Sequence, residues 1–166
     1  MTTANTTTYG SSERHSDAGW ILRGARNGVI AGLAMAMVMM MLGLIDQGFF
    51  AAPSSIWAFF AGPDAYHPHD LDIAVVLGAM GHMMNSALLG LAFAFVATRV
   101  LQLKGTLPSI ASGVVFALVA LTVMWFVVLP LGANGEIVKG AAAVWIWVMG
   151  HAVFGAVGGW LSWNWR

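Results

Sequence analysis

The sequence predicts an all-α membrane protein, a bundle of four transmembrane helices built from two repeated helical hairpins. Three observations predict it. Of 166 residues, 59% are hydrophobic and only 8% charged, with a mean hydropathy of +0.79, whereas an ordinary soluble domain carries about 25% charged residues. Four apolar stretches run over about 28–50, 73–98, 110–131 and 141–163, each near the ~20 residues that a helix needs to cross hydrocarbon. Seven Lys+Arg and seven Asp+Glu cannot cover the surface of a water-soluble protein of this length. A soluble enzyme domain, a disordered chain and an electrostatic nucleic-acid binder are thereby excluded. The absence of cysteine removes disulfides, thiolate metal sites and cysteine nucleophiles.

The first 23 residues are read as a polar, Thr/Ser-rich cytoplasmic tail without the apolar core of a secretory signal, followed by a transmembrane domain over 24–166. Helices are expected for the spans because lipid offers no partner to exposed backbone groups. An outer loop at about 51–71 separates the first two. Within it, Pro53–Phe60 reads as a short helix along the membrane surface, Pro63 and Pro68 mark turns, and Asp72 stands where it can cap the second span.

Orientation follows from the cations. Arg14, Arg23, Arg26, Arg99, Lys104 and Arg166 fall on one side if the spans alternate, and only Lys139 on the other. The positive-inside rule then places both termini in the cytoplasm of a cell with the chain in its inner (plasma) membrane. Trp145 and Trp147 near one end of the fourth span, with Trp160, Trp163 and Trp165 near the other, are expected to form interfacial belts.

The repeat lies in the even spans. Met80-Gly81-His82 with Ala87 and Gly90 is echoed by Met149-Gly150-His151 with Ala156 and Gly159 at the same offsets. Gly28-Val29, Leu33, Val38 and Met39 pair more weakly with Gly113-Val114, Leu118, Val123 and Met124. Two hairpins of like orientation about an axis along the membrane normal are expected, a symmetry common in membrane folds.

His82 and His151 carry the most information, because an ionisable side chain at mid-membrane depth is costly. One reading makes them axial ligands of a single haem b or a chlorophyll-type pigment, with Gly78, Gly81, Gly90, Gly150, Gly155 and Gly158 leaving room for flat rings. The other makes them interhelical glue, His82 bonding with Asn85, Ser86 or Thr122. A weak candidate for Zn²⁺ or Cu²⁺ is His67, His69 and Asp70 in the outer loop. Methionines 35, 37, 39, 40 and 41 suggest soft Cu(I) ligands, but their mostly consecutive placement favours packing. Gly24, Gly28, Gly32 and Ala36, and Gly155 with Gly159, space small residues for close helix contact. Asp46 is the only acid inside an expected span, and no nucleophile–base pair or phosphate-binding glycine loop is present.

The chain resembles a family of small four-span prokaryotic membrane proteins without assigned activity. The resemblance rests on Gly28-Val29-Ile30-Ala31-Gly32, Gly81-His82, Phe126-Val127-Val128-Leu129-Pro130-Leu131 and Gly150-His151-Ala152-Val153-Phe154-Gly155-Ala156-Val157-Gly158-Gly159, within residues 24 to 163. It implies the four-helix layout and points to the two histidines. Three functions follow as expectations. The first is a non-catalytic accessory subunit of a larger respiratory or photosynthetic membrane complex, with the lipid bilayer and other membrane subunits as partners and no nucleic acid. The second is a single-haem electron carrier. The third is a small transporter or channel with a midplane histidine site.

Overall fold

The computed structural model describes residues 18–163. Arg14, Trp165 and Arg166, and most of the expected tail, lie outside the described residues. The described chain is all helix and connecting turns: α1 (Ala18–Gly43), α2 (Ala51–Ala61), α3 (Ile73–Phe95), α4 (Thr106–Val123), α5 (Gly135–Gly140) and α6 (Val144–Ser162). A wider π-type turn, Val96–Val100, prolongs α3, and another, Met124–Val128, carries α4 on to Leu131. Pro130 accounts for the second, since its ring and missing N–H cannot accept regular winding against the carbonyl four residues earlier.

Four helical segments, Gly19–Gly43, Ile73–Val100, Thr106–Leu131 and Val144–Ser162, are long and apolar enough to cross a membrane. Their outward faces carry exposed Leu33, Met37, Leu88, Val115, Val119 and Trp160. This is the surface of a multi-pass membrane protein. The ends of the bundle are named here the terminal end, where α1 starts and α6 stops, and the loop end, where α2 and α5 sit.

Helix one differs from the expected stretch at both ends. It begins at Ala18, so Arg23, expected in the tail, is helical, as is Arg26, expected just ahead of the span, and it ends at Gly43. Asp46 therefore leaves the membrane span and sits in the following turn. There its Oδ2 accepts a hydrogen bond of 2.7 Å from the backbone N–H of Ala143, at the start of α6. This satisfies one of the amide donors that every helix start leaves over. Asp72 caps α3 as expected, its Oδ1 accepting from Val75 N at 3.1 Å.

The short helix α2 is not a free surface helix. Ala51, Pro53, Ser54, Ser55 and Ala58 are buried, and it packs on α3 and α5. Gly78 of α3 lies directly against the Pro53 carbonyl, where any side chain would collide. Ser54 and Ser55 can be buried because each hydroxyl donates back to its own helix, to Phe50 O and Ala52 O at 2.8 Å.

The hairpin repeat is visible in the packing. Gly90 of α3 meets Gly24 and Gly28 of α1, and Gly159 of α6 meets Ser109 and Ile110 of α4, with Gly113 against Gly155 and Gly159. Equivalent small residues thus join each hairpin backbone to backbone. The relation between the hairpins is not symmetric. Among the described residues α1 packs along α6, whereas α3 and α4 have no extended contact. They touch through the rings of Phe93 and Phe116, 5.4 Å apart, toward the terminal end. Above that contact they diverge.

Candidate functional site

The divergence of α3 and α4 leaves a cavity of about 300 Å³. Its wall is mostly apolar: Met35 of α1, Ile56 and Phe59 of α2, Ala117 and Ala120 of α4, and Phe154 of α6. Met84, Leu88 and Val128 also line it and are exposed on the outside of the bundle, so the cavity opens sideways, onto the face that acyl chains cover. Its polar lining is His82, Asn85, Ser86, Trp147 and His151. The structure therefore gathers both repeat histidines on one space, as their matched positions suggested.

The two imidazoles are held differently. His82 reaches across to α1, where its Nε2 donates to the Gly32 carbonyl at 3.0 Å. His151 turns back along its own helix, and its Nδ1 donates to the Trp147 carbonyl at 2.9 Å. A carbonyl can only accept, so each bond fixes which nitrogen of a neutral ring carries the proton. The other nitrogen of each ring, Nδ1 of His82 and Nε2 of His151, is left as a lone pair without a partner among the described residues. His151 is 6% exposed and Trp147 3%. The indole Nε1–H of Trp147 is buried and has no hydrogen-bond partner among the described residues. The ring centroids of Trp147 and His151 are 6.4 Å apart.

The expected partners of His82 are corrected. Thr122 is exposed, and its hydroxyl donates to Leu118 O at 2.8 Å on its own helix. Ser86 is buried against Gly32 of α1. Asn85 is exposed at the cavity and makes no side-chain bond among the described residues. The helix-one carbonyl that His82 does reach belongs to Gly32, and the signal for it was the close-packing glycine spacing.

A bis-histidine haem does not fit these residues. The Nε2 of His82 is engaged by the Gly32 carbonyl. The glycines expected to admit flat rings are filled by neighbouring protein. Gly78 meets Pro53, Gly90 meets Gly28, Gly155 meets Gly113, and Gly150 meets Met39 and Met35. Gly81 and Gly158 are in ordinary contact range of Ile56 and Ala31, at 3.6 and 3.7 Å. Glycine in this bundle makes room for helices.

Trp147 is likewise not an interfacial residue. It is in the core beside Trp125, ring centroids 6.5 Å apart, whereas Trp145, Trp160 and Trp163 are exposed. The methionines divide by helical face: Met35 and Met39 are buried, and Met37 and Met41 are exposed. Met35, Met39, Met40, Met83 and His82 border a smaller space of about 90 Å³.

In the outer loop, no three His, Asp or Glu side chains cluster among the described residues. The candidate set His67, His69 and Asp70 is split up. His67 pairs with Asp72, and His69 packs against Gly48, whose φ of +129° suits glycine. The hydrogen bond that His67 donates to the Asp72 carboxylate chiefly raises His67 above 6.5, and the same bond chiefly lowers Asp72 below 3.8. Both groups are charged between those ordinary values. As pH rises through the raised His67 value the pair is lost, and as pH falls through the lowered Asp72 value it is lost again. Amide protection across 66–76, the intrinsic exchange rate divided by the observed one at each pH, is therefore expected to be greatest in mildly acidic solution and to fall toward pH 9. His67→Gln should flatten that dependence on the alkaline side, and a wild-type profile unchanged from pH 5 to 9 would contradict the pairing. Nearby, Tyr66 has a buried hydroxyl without a partner among the described residues, and burial first, then the charge of Asp46, raises it above 10.0.

No family model, curated protein or solved structure matches the chain.

Proposed function

We propose that this chain is a non-catalytic membrane protein whose working site is the cavity between α3 and α4, where it holds a small lipophilic molecule taken from the bilayer. One observation carries the reading: a cavity of about 300 Å³ with a mostly apolar wall opens toward lipid and contains a few polar groups. That size is at the small end of ligand pockets, ~300–1,000 Å³, and the lining is the usual mixture of apolar wall and sparse polar anchors. Lateral entry avoids water altogether, so a sparingly soluble ligand need never leave hydrocarbon. Arg23, Arg26, Arg99 and Lys104 lie toward the terminal end and Lys139 at the loop end, which supports an orientation with the terminal end in the cytoplasm.

Ala120 lines the cavity, and Ala120→Phe would put a ring into it. The full chain should co-purify with a stoichiometric lipophilic compound, detected by mass spectrometry of a solvent extract. The Ala120→Phe chain should lose most of it while keeping its helical circular dichroism and its elution volume. Equal recovery from both chains would refute the reading.

A further inference from the structure

Resting on that reading, we infer that the cavity selects an uncharged, hydrocarbon-soluble molecule with a carbonyl oxygen, which accepts a hydrogen bond from the Asn85 amide. Depth and charge narrow the class first. Asn85 lies near the middle of the span Ile73–Val100, and Ala117 and Ala120 lie near the middle of Thr106–Leu131. At ~1.5 Å per residue, Asn85 is no less than about 18 Å from either end of its span. Among the described residues no Asp, Glu, Lys or Arg lines the cavity. An ionised head at that depth without a counter-charge is costly. Phospholipids and fatty acids therefore keep their heads at the membrane surface and bring only acyl chain to this wall. A guest whose polar group belongs here is neutral.

The polar lining decides between donor and acceptor. His82 gives its Nε2 proton to Gly32, and His151 gives its Nδ1 proton to Trp147, so neither neutral ring keeps a proton for a guest. The Trp147 indole N–H is buried, and Ser86 is buried against Gly32. Asn85 is different. It is exposed, it lines the cavity, and its amide makes no side-chain hydrogen bond among the described residues. Thr122, also exposed within a span, disposes of its proton on Leu118 O of its own helix. The Asn85 amide keeps two N–H donors, and hydrocarbon holds no water to take them up. A carbonyl oxygen supplies two lone pairs and carries no charge into the wall. The hydrocarbon part of the guest then leaves past Met84, Leu88 and Val128, which line the opening and are exposed on the outside of the bundle.

The test uses the full chain in phosphatidylcholine nanodiscs, with empty nanodiscs as the blank. The probes are 9-heptadecanone, whose carbonyl sits in the middle of its chain, and heptadecane, which lacks it. Wild type should retain the ketone about fivefold better than the alkane, the factor that ~1 kcal/mol supplies. Asn85→Leu should erase that preference while still retaining the alkane, with an unchanged elution volume. Ala120→Phe should lose both probes. If wild type retains ketone and alkane equally while Ala120→Phe loses both, carbonyl selection is overturned and the cavity reading stands. A ketone preference that survives Asn85→Leu would overturn the role of Asn85. Ionised octadecanoate retained as well as the ketone would overturn the exclusion of charge. If wild type retains neither probe above empty nanodiscs, the cavity reading falls and the inference with it.

Discussion

A Gly155→Leu chain is expected to lose the close pairing of α4 with α6 and to unfold at a much lower temperature than wild type. A Cβ at Gly155 would meet the carbonyl group of Gly113 and, at 2.6 Å, Val114 Cα. These are backbone atoms of a helix, so no side chain can swing away to make room. Overpacking of a well-fitted core costs about 1–3 kcal/mol and occasionally more. With backbone on both sides the loss should reach the upper end, about 3 kcal/mol. Membrane helices gain little from burying apolar surface, because lipid is as apolar as a neighbouring helix, so close packing contributes most of their association. Gly140→Ala is the control, since nothing lies within 4 Å of a Cβ there. Thermal unfolding in mild detergent, followed by circular dichroism and by elution volume, should place Gly140→Ala beside wild type and Gly155→Leu well below. Coincident melting of all three chains would show that the glycine contact does not hold α4 to α6.

Asn27→Leu is expected to be the most damaging near-isosteric change in α1. Asn27 is 2% exposed, and its Nδ2 donates 3.1 Å to the carbonyl of Leu161 in the last turn of α6. Its Oδ1 in turn accepts from the Arg26 guanidinium at 3.3 Å. The last carbonyls of a helix have no partner within it, so a side chain of α1 finishes α6. Interhelical bonds inside membranes average ~0.6 kcal/mol and reach about 1.7. A buried carbonyl left bare adds a desolvation cost, and a total loss of about 1–2 kcal/mol follows. At about 2–4 °C per kcal/mol for a chain of this size, Asn27→Leu should melt roughly 2–8 °C below wild type. Leucine keeps the volume, so the deficit reports the hydrogen bond rather than a void. A melting temperature equal to wild type would mean that the carbonyl finds another donor.

Both contacts bear on legibility in different ways. The glycines at 28, 155 and 159 stand out in the sequence because small-residue spacing along an apolar helix has a direct packing meaning, those at 90 and 113 stand out through the hairpin repeat, and all five lie at backbone contacts. Asn27 is not legible beside Arg26, since one amide near a span end has no pattern around it. Asp46 was legible as an acid at the edge of a span, but its use as a cap for α6 depends on a residue 97 positions away. The outer-loop histidines illustrate the opposite failure. Nearness in sequence suggested a shared ligand, and the turn instead gave His67 to Asp72 and His69 to Gly48. For His82 and His151, matched offsets indicated a common space, while the partner of each ring was not legible. Gly32 is 50 residues from His82, and the return of His151 to its own helix depends on a rotamer.

Composition and run length alone determined the solvent of this protein and the number of its spanning helices, because transfer of apolar residues into lipid is a sum over the chain that needs no partner. Small-residue spacing along the first and fourth spans indicated close helix contact there, but not which helix each would meet. The way the hairpins lean on one another was decided only in three dimensions. Packing α1 against α6 while α3 and α4 diverge is a choice among surfaces of nearly equal hydropathy, settled by shape. That choice creates the cavity and brings His82 and His151 together on its wall.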